Sequence, residues 1–118
     1  MIVEFYKLQD GTKPAGLFIK TIEDQKLKAK VIRSVKLLEK FGTSLGEPDS
    51  KYLGEGIFEL RTIHGNDIAR CLYFFTVGDK AIVTNGLIKK TEKTPRNVIE
   101  TSKKYRNGYE RRIKDGRY

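Results

Sequence analysis

Six cationic residues stand at or beside positions that read as β-strand. Arg61 falls inside the run Phe58-Glu59-Leu60-Arg61, and Arg70 immediately precedes the apolar run 71–75. Lys89 and Lys90 close a third strand-like run, and Lys93 and Arg96 follow shortly after. Arginine is rarely placed in a half-buried sheet unless something pairs with it. Two accounts therefore compete for each arginine. One is a bridge to a carboxylate, for instance Glu59 with Arg70 across a hairpin; the other is contact with a phosphate. For either arginine alone the two carry equal weight, but five cations on adjacent strands favour chemistry.

That chemistry is cleavage of a phosphodiester whose nucleophile is already present. RNA carries a 2′-hydroxyl beside each phosphate, so an enzyme has to remove one proton, stabilise a crowded anionic phosphorane and help the 5′-oxygen leave. Arg and Lys aimed at the phosphate supply the electrostatic part, often the largest. A lysine held among other cations gives up its proton more readily and can serve as base or acid. Tyr73, or a tyrosine of the last helix, suits proton transfer or stacking on a base. No metal or other cofactor is called for.

Most other sites are excluded. The chain has one His and one Cys, whereas a structural zinc wants four such ligands. Gly54-Glu55-Gly56 is a turn rather than a phosphate loop. His64, beside Gly65 and Asn66, reads as a solvated turn residue and not as part of a triad. Glu55, Glu59 and Asp67 are close in sequence, and for Glu59 a salt bridge to a neighbouring Arg or Lys is the default. Cys71 lies in an apolar run and reads as a small buried side chain, with no partner for an internal disulfide.

The net charge of +9 is unevenly spread. Residues 1–88 carry 13 Lys/Arg against 11 Asp/Glu, and residues 89–118 carry 11 against 4. A field concentrated in the last quarter attracts polyanions, whose counterions are released when lysine and arginine take their place. Nucleic acid or an acidic protein is the partner this implies. No stretch approaches the roughly 20 apolar residues of a membrane span, and MIVEFYKLQDG lacks a signal peptide's pattern, so a cytoplasmic location is expected.

The elements that must position the cations follow from periodicity. At 118 residues the expectation is one domain, 1–118, with one hydrophobic core. Ile2, Val3, Phe5 and Tyr6 suggest a first strand, ended by Asp10-Gly11. Pro14 opens a short helix to about Ile22. A second runs from about Asp24 to Phe41, with Leu27, Val31, Val35 and Leu38 at helical spacing, and Gly42 stops it. Thr43 to Lys51 reads as a polar loop. Strands are expected at Ile57–Ile63, Ala69–Val77 and Ala81–Ile88, joined by connections so short that neighbours must be antiparallel. The middle one is apolar throughout, as a central strand would be. A last helix begins at Thr94-Pro95, with Thr as cap, and runs towards Ile113 with Val98, Tyr105 and Tyr109 on its stripe. The order β-α-α-β-β-β-α is an α+β domain. Helices on one face of its antiparallel sheet leave the other face open for the cations.

Three segments carry a resemblance. Leu53-Gly54-Glu55-Gly56-Ile57-Phe58-Glu59-Leu60-Arg61, then Arg70-Cys71-Leu72-Tyr73-Phe74-Phe75, then Gly86-Leu87-Ile88-Lys89-Lys90-Thr91-Glu92-Lys93-Thr94-Pro95 together resemble the phage-derived HigB-like toxins of the RelE/ParE superfamily. The match covers residues 45–100. It implies a RelE-like fold and a type II toxin that cleaves messenger RNA on the ribosome without a cofactor. It also implies silencing by a HigA-like helix-turn-helix antitoxin in a heterotetramer, with operator DNA reached only through the antitoxin. By motif position Arg61 and Arg70 would hold the scissile phosphate, and a lysine of the pair Lys89 and Lys90 would move a proton or stabilise charge. Lys93, Arg96 and Tyr73 would contact RNA. Relatives often carry His before the glycine of the last strand; Asn85 stands here, and Asn cannot act as a base. The competing reading from the same superfamily is a ParE-like inhibitor that binds DNA gyrase without chemistry, and a third is an inactive regulatory subunit.

Overall fold

A computed structural model describes residues 1–89 and 93–116. In chain order the elements are β1 (Ile2–Phe5), α1 (Pro14–Lys20), α2 (Gln25–Phe41), a 3₁₀ turn (Gly42–Ser44), β2 (Ser50–Gly54), β3 (Ile57–His64), β4 (Asp67–Phe75), β5 (Lys80–Lys89) and α3 (Arg96–Lys114). Helix α2 starts where a side chain can replace the missing carbonyls. The Asp24 carboxylate accepts the amides of Lys26 at 3.0 Å and Leu27 at 3.1 Å, which satisfies donors the first turn cannot. It stops at Gly42, whose φ of 54° suits glycine.

The five strands order as β1-β5-β4-β3-β2. The meander β2 to β5 is antiparallel, as the short connections require, and β4 is central and almost wholly buried. Two features depart from expectation. β1 pairs parallel with β5, Ile2 opposite Lys80, so the sheet is mixed; four residues of alternating character carry no direction, and only the path through α1 and α2 sets it. An edge strand, β2, also begins at the last two residues of the supposed loop, and at five residues is too short to announce itself.

The sheet is covered on both faces, which corrects the expectation of one core and an open face. Residues Leu27, Val31 and Leu38 of α2 and Ala15 and Ile19 of α1 bury against Leu60, Cys71, Tyr73 and Val83. On the other side Ile99 and Tyr109 of α3 bury with Ile57, Leu72, Phe74 and Ile82. Each Leu, Ile, Val or Phe among them contributes about 1.5–3 kcal/mol on full burial. The stripe of α3 needs an apolar surface, and the side already filled by α1 and α2 has none left. Contact on the first face is close: a Cβ on Gly86 would lie 2.4 Å from Phe18 of α1 and 3.0 Å from the Arg70 carbonyl. Among the described residues no helix is long and apolar enough to cross a membrane.

Candidate functional site

Side chains alternate across the sheet, so Glu59 and Arg61 of β3 share the face beneath α3 with Arg70 of β4. Arg61 stands directly opposite Arg70. Like charges in that register repel, and Glu59, two residues back on β3, supplies the counter-charge. Its carboxylate lies 3.3 Å from Arg70 Nε. Both side chains are sealed: Arg70 is 0% exposed and Glu59 1%. Arg70 is thus held inside the protein, the bridge that the sequence allowed as its alternative, and does not reach a surface where a phosphate could sit. Arg61 is only half-buried.

Thr94 completes this arrangement. Its hydroxyl lies 2.9 and 2.7 Å from the two Glu59 oxygens. Thr94 was expected to cap α3, but the cap position falls on Pro95, with no side-chain hydrogen bond there. The threonine is instead drawn to the buried carboxylate, where an unanswered acceptor would cost more than an uncapped, exposed helix end.

Above Glu59 lies a hollow of about 680 Å³ between β2, the end of β5 and the start of α3. Lys51, Lys89, Lys93 and Arg96 line it, with Leu53 and Ile99 as apolar wall and Glu59 at the bottom. The positive end of the α3 dipole adds to the field. Lys89, Lys93 and Arg96 of the sequence-derived set are thereby brought together. Arg61 is on the same face one strand repeat beyond Glu59, and Lys90 lies outside the described residues. Tyr73 is on the other face, 0% exposed and hydrogen-bonded to Ser50. Burial pushes its hydroxyl pKa up, only partly offset by that bond. Stacking of Tyr73 on a base is therefore ruled out by position.

Ion pairs fix the entrance. Arg96 reaches Glu100 at 2.7 Å and Glu55 at 3.5 Å. Lys103 pairs with Glu55, and Arg106 donates to the Glu55 carbonyl. The β2–β3 turn is thus tied to α3, and the Lys103 ammonium, with Arg96 behind it, holds the Glu55 carboxyl below the usual range. Asn85 faces α3, not the hollow: its amide donates to the Val98 carbonyl at 3.2 Å and its oxygen accepts from Thr84 at 2.7 Å.

Two lining residues escaped the sequence reading. Lys51 is registered opposite Glu59, and Tyr52, also lining the hollow, is 56% exposed. Both sit on the unrecognised edge strand; the alternation Lys51-Tyr52-Leu53 was the one signal available. Among the described residues no three His, Cys, Asp or Glu side chains converge to hold a metal ion.

Over residues 19–107 the chain matches the model of a family described as Phage derived protein Gp49-like. The chain belongs to this Gp49-like family. The Gp49-like family is a RelE/HigB-like toxin family, its members typically the toxins of toxin–antitoxin systems and generally nuclease-like. Membership suggests an antitoxin partner. No curated protein matches the chain.

Proposed function

We propose that this Gp49-like protein is a HigB-type messenger-RNA interferase, an endoribonuclease that cuts translated messages on the ribosome by 2′-hydroxyl attack. The observation that carries it is the hollow in which Lys51, Lys89, Lys93 and Arg96 surround one space on a toxin-family chain. A phosphodiester placed there meets cations whose positions are set by strand ends and by the ion pairs of α3, so little reorganisation is needed as charge builds on the phosphorane. Lys89 and Arg61 are the groups assigned to the scissile phosphate, with Lys90 beside Lys89 in sequence. One lysine of that pair takes the proton-transfer role. Lys93 and Arg96 hold the flanking backbone. Arg70 acts as a positioning residue: through Glu59 and Thr94 it sets the floor and the start of the segment bearing Lys93. A HigA-like antitoxin completes the system, its binding to this chain giving the heterotetramer that the resemblance implies.

Induction of the chain in growing cells, followed by primer extension on cellular transcripts, tests this. Cleavage at codon positions that disappears when translation is blocked is expected, and Lys89→Ala should abolish both cleavage and growth arrest. Intact messages with broken DNA would replace the reading by gyrase poisoning.

A further inference from the structure

The two edges of the sheet are finished differently. β2 carries Lys51 and a register shift between Tyr52 and Gly54, features that discourage a further strand. β1, at the other end of the order β1-β5-β4-β3-β2, carries neither proline nor bulge. Tyr6 turns its amide inward to the Val83 carbonyl at 2.9 Å. Backbone groups of successive strand residues point to alternate edges, so Val3 and Phe5 turn theirs outward, where among the described residues no strand follows. The N-terminal ammonium donates to the Glu39 carbonyl at 2.8 Å and so pins the start of β1 to α2.

Three hollows follow this edge and share residues. One of about 330 Å³ runs along it, lined by Val3, Glu4, Phe5, Lys7 and Lys13. On the α1/α2 side it shares Phe5 with an apolar groove of about 280 Å³, walled by Ile19, Ile32 and Val35. On the α3 side it shares Glu4 and Lys7 with a hollow of about 490 Å³ that adds Lys80 and Arg112. A strand laid beside β1 sends alternate side chains to these two sides, every second one into the apolar groove, where Ile32 is 41% exposed. Along the edge and its α3 side Lys7, Lys13, Lys80 and Arg112 stand against Glu4, and Glu4 is already paired with Lys80 at 2.9 Å. The two sides thus ask for different residues, apolar on one and acidic on the other.

We propose that β1 is a docking edge for an extended acidic segment of a partner protein, which joins the sheet as a further strand in which apolar residues alternate with Asp or Glu. Main-chain hydrogen bonds to Val3 and Phe5 supply affinity, and the alternation supplies specificity. The partner's acids complement a chain of net charge +9, and the pinned start of β1 leaves little ordering to be done on binding. β1 is the edge opposite β2, which borders the cationic hollow, so this surface is separate from the one assigned to RNA and does not depend on that assignment.

The test is an NMR titration of the nitrogen-labelled protein with three short peptides: Val alternating with Glu, Val alternating with Lys, and the Val-Glu composition arranged in two blocks. The first should move the amide signals of Val3 and Phe5 and bind about tenfold more tightly than the other two. Ile32→Glu, a change at an exposed position, should weaken that binding about tenfold by spoiling the apolar groove. Val3→Pro removes one outward donor without touching the ladder to β5 and should weaken it as well, with folding of both variants checked by thermal melting. Lys13→Glu should lower the affinity for the Val-Glu peptide and raise that for the Val-Lys one. Equal binding of all three peptides, no binding of any, or shifts that miss Val3 and Phe5 overturns the docking edge. An oligoribonucleotide that moves those two amides where the Val-Glu peptide does not assigns the edge to nucleic acid and overturns it too. None of these results bears on the cleavage reading, which stands or falls on Lys89 and the primer-extension experiment.

Discussion

Thr94 gives its hydroxyl to the carboxylate of Glu59, with both oxygens within 2.9 Å, and the same carboxylate holds Arg70 at 3.3 Å. One buried acid therefore joins the central strand pair to the segment that enters α3. Arg70 stands opposite Arg61 on β3 and β4 with this acid beside its own guanidinium. The hollow's floor and one of its walls meet at this acid.

Removing the acid should accordingly be severe. Glu59→Ala removes a carboxylate 3.3 Å from the Arg70 guanidinium in a sealed site, and breaking a buried pair typically costs about 3–5 kcal/mol. Urea denaturation should show the midpoint falling by that equivalent. Replacing both partners, as Glu59→Leu with Arg70→Met, should recover most of the loss, because the desolvation cost disappears with the charges. A double variant as unstable as the single one would show that the pair itself is worth more than its burial costs.

Glu55 offers a check on the clamp at the entrance. Its folded carboxyl titrates below the ordinary value of 4.5, chiefly through the Lys103 ammonium. A lowered carboxyl contributes stability that is present above the unfolded value and lost as pH falls through the folded one, so this contribution should fade only below about pH 4.5. Carbon-detected NMR titration should place the Glu55 midpoint low, and Lys103→Met should return it towards normal. An unchanged midpoint in that variant would remove Lys103 as the cause.

Cys71 is 1% exposed, and burial pushes its thiol up to about 12. The reactive species is the thiolate, so a thiol reagent at pH 8 should modify the folded protein only as fast as the chain opens. Between the ordinary value of 9.0 and about 12 the unfolded thiol ionises while the folded one keeps its proton. Stability should therefore fall with rising pH across that window, and Cys71→Ala should flatten this limb. Rapid labelling under native conditions would contradict the burial.

Gly86→Ala tests the fit between α1 and the sheet. The added carbon would sit 2.4 Å from the Phe18 ring and 3.0 Å from the Arg70 backbone oxygen, so ring and strand must both give way. Overpacking of this kind costs about 1–3 kcal/mol. The loss should show in the melting temperature and shrink when Phe18→Leu is added to make room. Equal losses with and without that second change would place the strain elsewhere.

Much of this was legible in residue order. The periodicity of Leu27, Val31 and Leu38 and the short turns after β3 and β4 set local structure, so helices and meander fell where expected. Three things were not local. The direction of β1, the existence of β2 and the side taken by α3 depend on what is already packed when each arrives. Those three decide the site: α3 buries Arg70, β2 supplies Lys51 and Tyr52, and the bulge between Leu72 and Tyr73 turns Asn85 towards α3. The sequence marked Lys89, Lys93 and Arg96 by charge alone; that Tyr73, three residues after Arg70 on one strand, would point to the opposite side was legible from alternation and was missed.

The bond between β1 and β5 joins Ile2 to Lys80, the first strand made to the last. Contacts so distant along the chain form late. While the chain is still being synthesised, the N-terminal strand and both early helices wait with their greasy sides uncovered until residue 89 has emerged. Strand β5 therefore closes the sheet and brings Lys89 to the hollow in a single step.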